Sequence, residues 1–203
     1  MMRNDEFYME KALLLAEEAA ADGEAPIGAV IVRKSDGEIV GTGRNTREKG
    51  RTALGHAEIS AIADACERLG GWRLSGCEMF VTLEPCPMCA GAIANARLDR
   101  VVFGASDTKN GFAGSRVNLF ELCGSYTIIK GGVMRTECEA QLKSFFGALR
   151  KKKNRIGGAG EKPRRHCRRD MARMVSADTF GGTDRLYGRK VPVGKSHHRA
   201  DEK

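Results

Sequence analysis

Two kinds of apolar run alternate along most of this chain, and that alternation restricts its fold more than any other feature. GAVIVR (28–33) and EIVGTGR (38–44), separated by KSDG, read as a hairpin. EMFVTL (78–83), RVVFG (100–104) and YTIIKGG (126–132) read as three further strands. Residues 4–22 place Met9, Ala12, Leu13, Ala16, Ala19 and Ala20 at helical spacing behind Asn4 or Asp5 as a cap. Residues 56–70 do the same with Ile59, Ile62, Ala63, Cys66 and Leu69, and glycines close the segment. A helix is expected over 85–96, with proline near its first turn, and a short one after the Gly/Ser-rich loop 107–115. The last spans about Thr136–Lys152. Strands alternating with helices imply a three-layer α/β sheet, opened by a hairpin and continued by crossover units.

Charge divides the chain in two. Of its 34 Lys/Arg, 17 lie from Arg150 onward, against 6 Asp/Glu there, a balance of +11. The preceding residues hold 17 basic and 20 acidic side chains, a balance of −3. The basic character therefore belongs to the end of the chain. There the periodicity collapses into polar text such as GGAGEKPRRHCRRD, a composition that predicts disorder. A folded domain is expected over 1–153 and a basic tail over 154–203. No apolar run approaches the ~18 residues of a membrane span. The first residues contain acidic side chains throughout and no cleavable apolar core, so no signal peptide is expected. The cytoplasm is the expected compartment. In a reducing compartment, closely spaced cysteines point to metal or catalysis before disulfides.

Of the seven cysteines, Cys86 and Cys89 form a pair in TLEPCPMCAGA (82–92). Alone, the pair fits a redox motif, half of a structural zinc site or part of a catalytic zinc site. A closed structural site needs two more ligands at matching spacing, and Cys66, Cys77, Cys123, Cys138 and Cys167 are scattered singly. These five read as small buried or surface thiols. A third ligand is available upstream in His56-Ala57-Glu58. His56 begins one helix, and the cysteines begin another. Three ligands on two helix N-termini can meet at a point, where the positive helix ends favour thiolate. Three protein ligands leave a fourth zinc position for water, the arrangement of a catalytic site. Glu58, beside the metal rather than bound to it, could shuttle protons between water, the ring nitrogen and the leaving ammonia of an aromatic amidine.

The pattern H-x-E followed by P-C-x-x-C resembles that of the zinc-dependent nucleobase deaminases, for which this chemistry is established. The resemblance extends through APIGAVIV (25–32), GTGRN (41–45), HAEISAI (56–62), FVTLEPCPMCAGAI (80–93), VVFGASD (101–107), GFAGS (111–115) and GGVMRTECEAQLKSFFGALRKKK (131–153). Together these are similar to the bacterial tRNA-specific adenosine deaminases, over nearly all of 1–153 and none of the tail. The resemblance implies a cytidine-deaminase-like α/β/α fold with a mixed five-stranded sheet. It implies hydrolysis of adenosine to inosine at the tRNA wobble position, by a homodimer with one zinc per subunit that receives the anticodon stem-loop and a flipped adenine. His56, Cys86 and Cys89 would bind zinc, and Glu58 would move protons. Asn45 would hold the target nucleoside, and Ile27, Ala57 and Pro85 would wall the pocket. Asp107 and Lys109 would meet flanking nucleotides, with Phe145 and Arg150 on the helix beside them. Ile27 also suits the core, Asp107 a turn cap and Phe145 simple packing.

The chain departs from the family at Cys123-Gly124-Ser125-Tyr126, where an Asn-His pair is usual in a loop expected near the anticodon. This departure keeps a deaminase of free bases, of the guanine or cytosine type, as the alternative. A non-enzymatic RNA-binding module with a structural zinc is a further alternative, although Glu58 would have no use there. The basic tail could add salt-dependent phosphate contacts. With only Phe180 and Tyr187 for stacking, it is not expected to read sequence.

Overall fold

The computed structural model describes residues 4–156. The elements run α1 (Asp5–Ala21), β1 (Gly28–Arg33), β2 (Glu38–Arg44), α2 (Ala57–Leu69), β3 (Cys77–Leu83), α3 (Pro87–Ala96), β4 (Arg100–Ala105), α4 (Leu119–Leu122), β5 (Ile128–Gly131) and α5 (Arg135–Ile156). One five-stranded sheet carries the order β2-β1-β3-β4-β5. β1 is antiparallel to both β2 and β3, whereas β3, β4 and β5 are parallel, so the sheet is mixed.

Alternate residues of β1 serve two cores. Ala29 and Ile31 join Met79, Val81 and Val101 beneath α2 and α3, with Ala57, Ala61, Ala90 and Ile93. Val30 and Val32 join Phe80 and Val102 beneath α1 and α5, with Met9, Ala12, Leu13 and Cys138. The period of two along each strand thus produces a three-layer α/β/α stack.

Three boundaries differ from the sequence expectation. α3 begins at Pro87 rather than Pro85, because Cys86 precedes a proline and stays extended (φ −73°, ψ 173°). β5 is shorter than 126–132. Tyr126 is 99% exposed, and the Thr127 hydroxyl donates to the Leu98 carbonyl at 2.8 Å. Beyond the strand, Gly132 takes φ 87°. α5 continues to Ile156, beyond the expected end at about Lys152. Expectations for the rest of the tail, including Cys167, Phe180 and Tyr187, lie outside the described residues. At the other end, Asn4 caps α1, accepting the Phe7 N–H at 3.1 Å.

One close approach fixes α2 over β2. A Cβ on Gly43 would fall onto the Ala57 carbonyl oxygen and the Ala61 nitrogen. The glycines of GTGRN therefore let the helix lie on the strand backbone, with its N-terminal turn beside the end of β2. Among the described residues, no helix is long and apolar enough to cross a membrane.

Candidate metal centre

The strand registers bring the candidate residues to one end of the sheet. Gly28 pairs with Arg44, Ala29 with Val81, and Leu83 with Ala105. Ile27, Asn45, Glu84, Pro85 and Asp107 follow or precede those pairs by one or two residues, so all leave the sheet at the same edge. Asn45 continues the ladder, donating its N–H to the Ile27 carbonyl at 3.0 Å.

Here the N-termini of α2 and α3 converge. His56 occupies the N-cap of α2 with extended backbone, and its side chain makes no cap hydrogen bond. Cys86 occupies the N-cap of α3, also without a side-chain cap bond. Cys89 is buried in the first turn. Both N-cap side chains are thereby available for a different partner. His56 Nδ1 lies 3.6 Å from Cys86 Sγ and 3.5 Å from Cys89 Sγ. The three ligand atoms all lie within 4.8 Å of one another.

These separations fit zinc. With Zn–S of about 2.3 Å and Zn–N of about 2.0–2.1 Å at tetrahedral angles, nitrogen and sulfur ligands stand about 3.5–3.6 Å apart. The distances are therefore those at which His56, Cys86 and Cys89 could together hold a zinc ion. The donor set, one imidazole and two thiols, has the softness that zinc favours over magnesium or calcium.

Electrostatics prepare the ligands. The Cys86 thiol is lowered to about 5, first by the hydrogen bond from Cys89 and then by backbone N–H groups of Cys89 and Met88 at the helix start. Cys89 moves the other way, because its proton is held against Cys86 in a buried setting beside Glu58. Glu58 is 4% exposed, and burial pushes its carboxyl up to about 7. It sits in the first turn of α2 and is not one of the three clustered ligand residues.

The remaining candidates divide. Ala57 and Pro85 are buried and Ile27 is half-buried against the core under α2 and α3. Asn45 is 6% exposed and donates from Nδ2 to Glu24 Oε2 at 3.2 Å. Asp107 uses its carboxylate locally, accepting the N–H groups of Lys109 and Asn110 at 2.9 and 3.0 Å. Lys109 is exposed. Phe145 stacks edge-on against Phe146, and Arg150 is exposed, both on the helix that packs on the α1 side.

The loop expected near the anticodon is set apart from the metal centre within one chain. The 123–126 loop lies near Leu98 and Asp99, at the opposite end of the parallel strands from Cys86. Ile128 N–H donates to the Asp99 carbonyl at 2.8 Å, tying β5 to the start of β4. A cavity of about 1050 Å3 lies there, lined by Asn95, Leu98, Leu119, Tyr126 and Ile128. Within one chain this loop does not border the metal centre, because parallel strands put the residues before β5 at the end away from the residues after β3.

Two residues of the site were not read from the sequence. Glu24 and Glu84 are 1% and 2% exposed, and neither is in an ion pair among the described residues. Glu24 accepts from Asn45 and from the N–H groups of Glu48 and Lys49, at 3.1 and 2.6 Å. Glu84 accepts from the loop 107–115. The available signal was position: Glu84 lies in TLEPC directly after β3, and Glu24 immediately precedes APIGAVIV.

A family model of the cytidine and deoxycytidylate deaminase zinc-binding region matches residues 2–105. The chain is 46% identical over 154 residues to the tRNA-specific adenosine deaminase of Bacillus subtilis strain 168, covering 75% of this chain and 94% of that one. Among solved structures it is similar to one from a study of A-to-I editing by tRNA:A34 deaminases at the wobble position. That pair shares 40% identity, 67% of this chain and 99% of that one, and a TM-score of 0.64. It is also similar to a guanine deaminase from Bacillus subtilis at 34% identity, 79% and 98% coverage and a TM-score of 0.50.

Proposed function

Because this chain belongs to the zinc-binding cytidine and deoxycytidylate deaminase family, within reach of its tRNA-specific adenosine deaminases, we propose that it hydrolyses the wobble adenosine of a tRNA to inosine. The observation that carries the chemistry is the buried Glu58 carboxyl beside, and outside, the His56–Cys86–Cys89 triangle.

His56, Cys86 and Cys89 would hold the zinc, which when bound supplies a Lewis acid that makes water nucleophilic near neutral pH. Glu58, buried beside the ligands, is placed to accept and return a proton. It takes a proton from the attacking water and delivers it to the purine N1. A second transfer carries a proton to the amino group as the C6–N bond breaks. Water and adenosine are consumed, inosine and ammonia are released, and Glu58 ends as it began. Asn45 is oriented by Glu24, because a carboxylate can face only the NH2 end of the amide. Its Oδ1 is then the end available to a hydroxyl of the target nucleoside. Ile27, Ala57 and Pro85 form walls that favour a flat, flipped base. Asp107, Lys109, Phe145 and Arg150 serve the flanking nucleotides of the anticodon stem-loop.

The same reading makes the protein a cytoplasmic homodimer. Leu122, Tyr126 and Ile128, at 74%, 99% and 63% exposure, form an apolar surface that suits a second copy. Light scattering on a sizing column tests this, and a monomer at micromolar concentration would end it. The folded domain extends through α5, so a chain cut after Ile156 keeps the activity.

The direct experiment incubates zinc-loaded protein with an A34 tRNA transcript and digests it for nucleoside analysis. Guanine, cytosine and adenosine run in parallel with an ammonia assay. Inosine at position 34 alone supports the reading. Ammonia from guanine with the tRNA untouched would transfer the protein to the free-base deaminases.

A further inference from the structure

We propose that Glu84 is the positioning residue for the loop 107–115, and that through this loop it sets how tightly RNA docks beside the metal centre. The second half rests on the tRNA reading above; the first half does not.

The Glu84 carboxylate is 2% exposed and is in no ion pair among the described residues. Its side-chain hydrogen bonds there all come from one loop. Oε2 accepts the Asp107 N–H at 3.0 Å and the Ser115 hydroxyl. Oε1 accepts the N–H groups of Ala113 at 3.2 Å and Ser115 at 2.9 Å. Next in the chain, the Pro85 carbonyl accepts the Phe112 N–H at 2.9 Å. The loop is thus fastened to the two residues immediately before the ligand Cys86.

The loop also carries its own turn hydrogen bonds, with Asp107 accepting the Gly111, Lys109 and Asn110 N–H groups. Phe112 and Ala113 pack on the core, but the loop attaches to the strand end before Cys86 through Glu84 and Pro85. It is polar, and the segment from Gly111 to Ser115 contains two glycines. A Cβ on Gly111 would fall onto the Glu84 carboxylate itself, so glycine lets the loop backbone close over the charge. Lys109 is exposed on this loop, and its carbonyl accepts from the Arg116 guanidinium at 2.9 Å. The Lys109 N–H donates to Asp107, and Arg116 donates to the Lys109 and Gly111 carbonyls. The Asp107 N–H in turn donates to Glu84, so Glu84 reaches the loop's cationic groups through Asp107.

Chemistry makes a carboxylate necessary there. Both oxygens receive backbone N–H groups, so both must be pure acceptors. In Glu84→Gln, either orientation of the amide turns an NH2 toward at least one backbone N–H and leaves that donor unpaired. The change removes no volume and touches no zinc ligand.

The test uses zinc-loaded Glu84→Gln, with Ser115→Ala as a milder companion that removes one hydroxyl donor. Zinc content and far-UV circular dichroism should match wild type in both. Hydrogen exchange should accelerate at the amides of 107, 113 and 115 in Glu84→Gln, with α2 and α3 unchanged. With an anticodon stem-loop, KM should rise about tenfold in Glu84→Gln and about two- to threefold in Ser115→Ala, with kcat at saturation within about twofold. In a Lys109→Ala background, the Glu84→Gln effect on KM should shrink, since both act through one loop. Unchanged exchange across 107–115 overturns the positioning role. Faster exchange with an unchanged KM overturns the link to RNA. If wild type leaves the stem-loop untouched, the tRNA reading and the link to RNA fail together, and the exchange result alone decides whether Glu84 holds the loop.

Discussion

His56 Nδ1 stands 3.5 Å from Cys89 Sγ, although 33 residues separate them in the chain. Neither side chain caps its helix, and each is aimed at the same point from a different helix start. This pairing across α2 and α3 is what the rest of the domain is built to hold, and the expected outcomes below test it from several sides.

Cys89→Ala and His56→Ala should each lose zinc and stability together, because the energy of metal binding is part of the folding energy. Metal analysis and thermal unfolding on the same sample give the answer. A His56→Ala protein with one zinc per chain and an unchanged midpoint would remove His56 from the ligand set.

Glu58→Gln should retain zinc and fold while kcat falls by about 10²–10⁴, the usual worth of a positioned acid–base group. Single-turnover rates with a stem-loop substrate check it, alongside zinc analysis. Loss of the metal in this variant would mean that Glu58 is a ligand rather than a proton carrier.

Gly43→Ala tests the seating of α2. The added methyl meets the Ala57 carbonyl and the Ala61 nitrogen, both backbone atoms that cannot swing aside. The cost should reach about 1–3 kcal/mol or more in urea unfolding, with weakened zinc retention because His56 begins the displaced helix. A wild-type midpoint would show that the helix is free to shift.

Asp5→Asn tests the acid side of stability. The Arg100 guanidinium hydrogen-bonds Asp5 and holds its carboxyl below the ordinary 3.8, with Lys130 assisting. A lowered folded pKa means that the unfolded chain binds this proton more readily. The contribution is therefore present in full above the ordinary value and is lost as pH falls through the folded one. Asp5→Asn should cost about 1–2 kcal/mol at pH 7, and the gap from wild type should close in acid. A gap that is constant from pH 7 down to pH 2 would remove the ion pair as its cause.

Much of this was legible in the residues, for identifiable reasons. β1 and β3 carry continuous apolar runs because both their faces are buried, and such runs stand out without any partner. α2 ends as its glycines suggested, at Gly70 with φ 67°, but the face it buries is Ala57, Ala61 and Ala65. Of the expected face, Ile59, Ile62 and Cys66 are half-buried and Ala63 and Leu69 are exposed, because the small alanines let the helix lie close on the strand. β5 was drawn too long because its apolar letters, Tyr126 and Ile128, face outward, and a pattern of apolar residues does not say which side is covered. The start of α3 was placed two residues early because the effect of Pro87 on the residue before it was not weighed.

The sequence by itself determined the chemistry: an imidazole, two thiols and a carboxylate at spacings that suit two helix starts, on a chain whose alternating runs permit a three-layer sheet. These are local properties, set by residue type and period, and they survive without knowledge of any contact. Only the tertiary structure decided which strand ends meet, and so which loops surround the metal. Strand direction carries the 123–126 loop to the far end of the sheet and brings loop 107–115 to the near end. The same geometry turns Glu24 and Glu84 from two more acidic letters into buried acceptors whose donors come from residues up to 25 and 31 positions away. Apart from the Asn45 amide and the Ser115 hydroxyl, these donors are backbone N–H groups, which every residue but proline possesses, and so the pattern of side chains did not announce them.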